Sequence, residues 1–223
     1  MNDSEIMTTN ATHSRLLDVA VDHFGRLGLE GASTRAIAKD ADTPMSSITY
    51  HFGGKEGLYL ATASYIAESL GRLLSPAVAK AAAACQPGCT REQARQALHS
   101  IYSHAAKVLV SAETAPYARF IVREQASPTE AFNRIYDALM GPMLSRLAFL
   151  LGIIAGGTLG ESEARLRAVT LMGQVLVFRV AREAALRAGG WKDIGHKELE
   201  AVQRVLADHL DAVLDGLARR KGA

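Results

Sequence analysis

The sequence predicts an all-α protein with two parts: an N-terminal three-helix, helix-turn-helix domain over residues 1–57 and a larger helical domain over residues 58–223. Three observations carry this. Apolar residues recur three and four apart along most of the 223 residues, and no stretch alternates with the period of two that a half-buried strand needs. Between Ser33 and Leu58 two short helical patterns are joined tightly and followed by a third, the arrangement that lets one helix stand proud of a small core and enter a DNA groove. Composition agrees, since 48% hydrophobic residues against 22% charged ones suit a well-packed globule.

Taken in order, residues 1–12 read as a loose polar arm. A helix from Ser14 to Leu27 buries Leu16, Leu17, Ala20, Phe24 and Leu27 along one stripe, and Gly28 ends it. Ser33 or Thr34 is placed to cap the second helix, which buries Ile37, Ala38 and Ala41. Thr43 is placed to cap the third, with Pro44 at its first position, where a missing N–H is harmless. Ile48 and Phe52, four apart, share the face that points into the core. Met45, Ser46, Ser47, Thr49, Tyr50 and His51 are left facing outward; they are small, polar or aromatic, and none is acidic, as suits a helix lying between phosphate ridges. Gly53-Gly54 closes this helix, and Lys55 opens a fourth that runs to about Ala84 with a bend at Pro76.

The turn Cys85-Gln86-Pro87-Gly88-Cys89 leads to a capping box at Thr90-Arg91-Glu92-Gln93 and a helix to about Ala112. A short helix spans Pro116 to about Gln125. Ser127-Pro128-Thr129-Glu130 reads as a second capping box, launching a helix to Gly152 with a kink at Pro142. Beyond the glycine-rich loop of 156–160 come two long helices, about Glu161 to Ala188 and Gly195 to Arg219. In the last one Leu199, Val202, Leu206, Leu210, Val213 and Leu217 form a single apolar seam. Its predecessor is apolar along two lines, Leu166, Val169, Met172, Leu176 and Val180 on one and Leu171, Val175 and Phe178 on the other. A late helix that is apolar on two sides is either central in the body or shared with a partner.

Charge is unevenly spread. Residues 1–57 hold five Lys and Arg against eight Asp and Glu, a net −3, whereas residues 58–223 hold twenty against fifteen, a net +5. A DNA-binding head of this kind has to rely on a few well-placed cations, on helix N-termini and on dimerisation, and the salt dependence of its affinity is modest. No apolar run reaches membrane-spanning length, Leu147 to Ala155 being short, and the polar, acidic N-terminus is unlike a secretory signal, so a cytoplasmic protein without a membrane partner is expected. The two cysteines are expected as free thiols. Cys85, Cys89, His99 and His104 imitate a zinc-finger spacing, but the linker is nine residues and the two histidines point about 140° apart on a helix, so no metal is assigned. No cofactor is implied either: nucleophile-elbow, metalloprotease, dinucleotide and P-loop patterns are all missing from the sequence, and an enzyme is not expected.

Phe24, Gly28, Ser33-Thr34, Ile37-Ala38, Ala41, Tyr50-His51-Phe52 and Lys55-Glu56-Gly57-Leu58 resemble the N-terminal domain of TetR-type transcriptional regulators. Asp42 departs from the usual turn glycine and Thr49 from the first of two aromatics; Asp visits left-handed conformations more readily than most residues, and Tyr50 is left to supply the aromatic contact. The resemblance implies that Thr34, Tyr50, His51 and Lys55 hold the DNA backbone while Arg35, Met45, Ser46 and Ser47 approach bases, with Thr49 beside them. It also implies a homodimer built through the last two helices. Arg123-Glu124-Gln125, Pro128-Thr129, Ala131-Phe132, Gly173-Gln174, Phe178-Arg179, Arg182-Glu183 and Gly190-Trp191 are similar to the CecR-like subgroup, whose effectors would be toxic or antimicrobial small molecules.

Candidates for an effector site are Tyr117, Phe120, Arg123, Glu124, Tyr136, Met140, Met143, Gln174, Phe178 and Arg179, apolar and polar residues on helices expected to meet. The expected function is that of a homodimeric repressor that binds a near-palindromic, double-stranded operator and is released by a small molecule. An activator, or a helical small-molecule-binding or interaction protein that does not bind DNA, stays open at this point.

Overall fold

The computed structural model describes residues 3–86 and 88–219, with side chains from residue 11 onward. Met1 and Asn2 of the predicted arm and Pro87 of the predicted turn lie outside the described residues. The elements are α1 (Asp3–Gly31), α2 (Thr34–Asp40), α3 (Ser46–Phe52), α4 (Lys55–Ala84), α5 (Arg91–Val110), a 3-10 turn (Ala112–Thr114), α6 (Ala115–Ala126), α7 (Glu130–Ile135), a π-helical segment (Tyr136–Met140), α8 (Gly141–Ile154), α9 (Glu161–Val180), α10 (Arg182–Gly189) and α11 (His196–Ala218). The all-helical class is the predicted one. Two compact units divide the chain, Met1–Ser69 with Pro116–Leu139 and Leu70–Ala115 with Met140–Ala223.

In the first unit Leu16, Leu17, Ala20 and Phe24 of α1 are buried, as are Ile37, Ala38 and Ala41. Leu27 departs from the predicted stripe and is 52% exposed. The neighbour α6 packs instead along Gly25 and Gly28, where an added Cβ would lie 3.3 Å from the Pro116 carbonyl oxygen and 3.0 Å from Arg123 Nη1, so Leu27 is left outside. Gly28 leaves helical geometry at φ 72°, a left-handed value that favours glycine. Residues 3–12, predicted as a loose arm, are helical: once the turns beyond Ser14 exist, each further residue adds a hydrogen bond without a new nucleation step.

At the centre of this unit Phe24 meets Tyr59 edge to face and Tyr59 meets Phe120 at a tilt, with ring centroids 4.8 Å apart in both pairs. The Tyr59 hydroxyl donates to Glu124 Oε1 at 2.5 Å, and Glu124 Oε2 accepts from Thr129 N at 3.1 Å and Thr129 Oγ1 at 2.8 Å. Glu124 is thus a buried carboxylate whose two oxygens both accept hydrogen bonds. The second predicted capping box is corrected here. Thr129, not Ser127, caps α7 by accepting from Ala131 N at 3.1 Å, the reciprocal carboxylate comes from α6, and Glu130 bonds Asn133 instead.

In the second unit α4 continues through Pro76. The proline has no N–H for the Arg72 carbonyl, and the Ser75 hydroxyl donates to that carbonyl at 3.0 Å. A ring nitrogen of His104 on α5 reaches the next carbonyl, Leu73, at 2.7 Å. Arg146 of α8 closes the end of α4 by donating to the Ala81 and Cys85 carbonyls at 3.1 and 3.3 Å. Cys85 and Cys89, expected as free thiols, are joined in a disulfide, because the turn brings their α-carbons to 5.0 Å, within bridging range. His99 meets Asp211 Oδ1 at 2.8 Å, so the four residues of zinc-finger-like spacing are engaged separately.

The kink predicted at Pro142 takes the form of the π-helical segment, which widens the turn whose Ala138 carbonyl the proline ring would otherwise meet. Helix therefore runs unbroken from Glu130 to Ile154, 25 residues of which the most apolar 18 have mean hydropathy 1.5. Length and composition alone would let this helix cross a membrane, as they would many a core helix of a globular protein. Arg134, Asp137 and Arg146 interrupt it, and Leu147, Leu150, Leu151 and Ile154 are buried in the core of the second unit.

The helix predicted over 161–188 breaks at Ala181 (φ −104°, ψ 38°). No Gly or Pro marks the break; tertiary contacts flank it, with Arg179 donating to the Leu109 carbonyl at 2.8 Å and to the Ser111 carbonyl, and Arg182 paired with Asp193. The two apolar lines of α9 part company. Leu171 and Val175 enter the core, while Leu166, Val169, Val177 and Val180 stay exposed. The seam of α11 buries Val202, Leu206, Leu210 and Leu217, with Leu214 added, and Arg95 of α5 bridges Asp211 and Asp215 on its flank.

Candidate nucleic-acid interface

α2 starts at Thr34 because Ser33 Oγ accepts from Ala36 N at 3.4 Å. It stops at Ala41, and Asp42 turns the chain in left-handed geometry, φ 51°, without glycine. Thr43 does not cap α3 as predicted: its hydroxyl points back and donates to the Ala38 carbonyl at 3.4 Å, pinning the turn to α2. The first turn of α3 is closed instead by backbone bonds from Ser47 N to Pro44 O and from Ile48 N to Met45 O. Gly53 ends α3 at φ 73°.

Ile48 is buried and Phe52 half-buried, so the predicted inward pair holds α3 against the unit. Met45, Ser46, Thr49 and Tyr50 face outward, Tyr50 being 81% and Met45 57% exposed, while Ser47 and His51 lie half-buried on the flank. The rings of Tyr50 and His51 meet edge to face with centroids 5.0 Å apart. Arg35 is exposed at the start of α2 and Thr34 half-buried beside it. Lys55 Nζ donates to the Glu30 carbonyl at 2.9 Å, so this cation is held at the end of α1 with further N–H groups to spare. Elsewhere in this unit a His23 ring nitrogen meets Asp40 Oδ2 at 2.8 Å, and Arg26 and Arg119 both pair with Asp22.

One residue of this face escaped the sequence reading. His13 of α1 stacks on Phe52, with centroids 4.7 Å apart and planes at 28°, and meets the edge of His51 at 5.9 Å. Its spacing to Leu16, Leu17 and Ala20 was the available signal, because it places His13 on the buried stripe.

The effector candidates divide between the two units, Tyr117, Phe120, Arg123, Glu124 and Tyr136 in the first and Met140, Met143, Gln174, Phe178 and Arg179 in the second. Phe120 is packed core and Glu124 a structural acceptor, and Arg123 donates to the Arg26 carbonyl at 2.7 Å. Tyr117 and Met140 are half-buried, and Tyr136 is exposed beside Phe132. Gln174 Oε1 accepts from the Tyr102 hydroxyl at 3.0 Å, Arg179 holds the end of α5, and Met143 and Phe178 border the core of the second unit. An open groove at the start of α9, lined by Glu161, Ser162, Arg165, Leu166 and Val169, includes none of them.

Residues 16–62 match the family described as bacterial regulatory proteins, tetR family, and residues 66–217 match the C-terminal domain of the HTH-type transcriptional dual regulator CecR. Both are families of regulators. The CecR protein of Shigella flexneri is 32% identical over 207 residues, 92% of each chain. AibR, solved in complex with isovaleryl coenzyme A and operator DNA, superposes with a TM-score of 0.64 at 17% identity, over 89% of this chain and 97% of that one. The regulator FadR of Bacillus subtilis, solved with stearoyl-CoA, gives 0.60 at 19% identity, over 88% and 96%. At those identities the two structures show a shared fold and nothing finer.

Proposed function

The chain belongs to the TetR family of bacterial regulatory proteins, in the branch with a CecR-type C-terminal domain, and from that premise we propose that it is a homodimeric repressor released from a near-palindromic operator by a small molecule. As a member of that family it is a DNA-binding transcriptional regulator; its sign, its assembly and its effector are the proposal. Residues 1–57 form the DNA-binding domain and residues 58–223 the effector and dimerisation domain. Thr34, Tyr50, His51 and Lys55 hold the DNA backbone, and Arg35, Met45, Ser46, Ser47 and Thr49 approach bases.

The observation that carries the reading is the outward face of α3 and its N-cap Met45: exposed hydroxyls, a thioether and an aromatic ring, with no acid, on a short helix pinned from behind by Ile48. Such a face makes hydrogen bonds and apolar contacts to base edges and suffers no repulsion from phosphate. Leu166, Val169, Val177 and Val180 of α9 supply an exposed apolar stripe for a partner copy. Two-fold symmetry then sets the half-site centres about 34–36 Å apart or a multiple of that. The effector acts by binding the two states of the body with different affinity, and Met143, Gln174 and Phe178 at the edge of the second core are its first candidate contacts.

Selection of bound fragments from random or genomic DNA by the purified protein, at two salt concentrations, tests this. An enriched inverted repeat with helical-turn spacing supports it and supplies the operator for effector screens, in which coenzyme A thioesters belong because two proteins of this fold are solved with them. Enrichment of nothing at low salt removes the operator reading. A second reading adds activation to repression, since the 32% identical relative is described as a dual regulator; expression from the selected sites with and without the protein distinguishes the two.

A further inference from the structure

α3 has seven residues, too few to be stable through its own hydrogen bonds, so its orientation is set by what its inward side chains touch. Ile48 anchors the first half. The last turn rests on Phe52, and Phe52 rests on the ring of His13. Because His13 also meets His51, and His51 meets Tyr50, one imidazole from α1 reaches all three aromatic residues that close the helix, directly or through one ring. His13 lies upstream of residues 16–62, the segment that the head shares with its family.

We infer that His13 is a positioning residue for DNA recognition, bracing the last turn of α3 against α1 and giving that contact a sensitivity to protonation; this rests on the operator-binding reading above. Burial, and then the neighbouring His51, hold the His13 pKa below its ordinary value of 6.5, so at neutral pH the ring lies uncharged on Phe52. Charged groups of the surrounding elements include Arg15, Asp18 and Asp22 on α1, Arg35, Lys39 and Asp40 on α2, and Lys55 and Glu56 on α4. Of these, Asp18 is bonded to Tyr65 and Lys55 to the Glu30 carbonyl. Phosphates brought to this face favour the protonated ring, so complex formation takes up a proton at His13. The affinity therefore grows as the pH falls towards the lowered pKa of the free ring.

The test is operator affinity by fluorescence anisotropy for wild type, His13→Ala and His13→Phe, at about pH 7.5 and about pH 5.5, with melting temperatures recorded alongside. At the higher pH His13→Ala binds about two- to tenfold more weakly, and His13→Phe, which keeps the stack, stays within about twofold of wild type. At the lower pH the wild type gains severalfold over His13→Phe. Equal affinity of His13→Ala and wild type overturns the brace, as does a failure of phenylalanine to rescue. A ratio of wild type to His13→Phe that ignores pH overturns the proton link. If the wild type itself selects no operator, the operator reading falls first and this inference with it, a failure distinct from the other two.

Discussion

Replacing Gly57 by alanine sets two effects of opposite sign against each other. Gly57 lies in the first turn of α4, and where space is free alanine improves on a helical glycine by about 0.5–1 kcal/mol. Here space is not free: an added Cβ would lie 1.7 Å from the Phe52 carbonyl oxygen and 2.9 Å from its carbon. Both sides of the clash are backbone, so no rotamer relieves it, and either the start of α4 or the end of α3 has to move by roughly an ångström or more. Overpacking costs about 1–3 kcal/mol, and an overlap this deep lies at the upper end, so after the helix gain the net expectation is a loss of about 2–2.5 kcal/mol. At this chain length that lowers the melting temperature by about 4–10 °C. Gly71 on the same helix meets nothing within 4 Å, so Gly71→Ala is the matched control and gains stability. Thermal melts of the three proteins give the signs, and anisotropy gives the functional effect: the displaced Phe52 carries Tyr50 and His51 with it, and operator affinity drops by about tenfold or more. A Gly57→Ala protein as stable as wild type, with full affinity, would refute the tight α3–α4 junction on which the orientation of α3 depends.

Tyr50→Ala abolishes operator binding while leaving the elution volume of the dimer and the melting temperature unchanged, since this ring is 81% exposed; retained affinity would remove α3 from the interface. Tyr59→Phe leaves Glu124 Oε1 buried without its donor, and urea unfolding should show a loss of about 1–3 kcal/mol. Burial alone would push Asp211 up, but the bonds from His99 and Arg95 pull its carboxyl below the ordinary 3.8. Its stabilising contribution is therefore complete above the ordinary value and is lost as the pH falls through the lowered one. Melting temperatures of wild type and Asp211→Asn differ at neutral pH and converge in strong acid, by a modest amount because the pair is partly exposed.

The head was legible because its signals are local. Ser33 at a cap, Ile37, Ala38 and Ile48 at helical spacing, and Asp42 as a left-handed turn residue are each decided within a few positions of the chain, and each stands where the sequence placed it. What stayed hidden depends on partners distant in sequence. Thr43 turned from a cap to the Ala38 carbonyl, the carboxylate beside the Thr129 cap came from Glu124, and α9 broke at Ala181 between two arginine contacts that no residue type announces. The Cys85–Cys89 bridge depended on a turn geometry that spacing does not state. The DNA-facing candidates all came from one short stretch, Thr34 to Lys55, whereas the effector candidates came from distant helices and fell into different units, because which helices meet is not written in the periodicity of any one of them.

The shortness of α3 also has a consequence in time. A seven-residue helix has no existence apart from its neighbours, so its amide protons exchange with solvent only through openings that release Ile48 and Phe52 together. Exchange along α3 should then run at a single rate, shared with the turns of α1 that carry His13, Leu16 and Leu17, and show none of the graded fraying of a long surface helix. The surface offered to DNA is consequently all or none. A chain whose first unit has begun to melt does not bind its operator with reduced fidelity; it has no reading surface at all until the whole unit closes again.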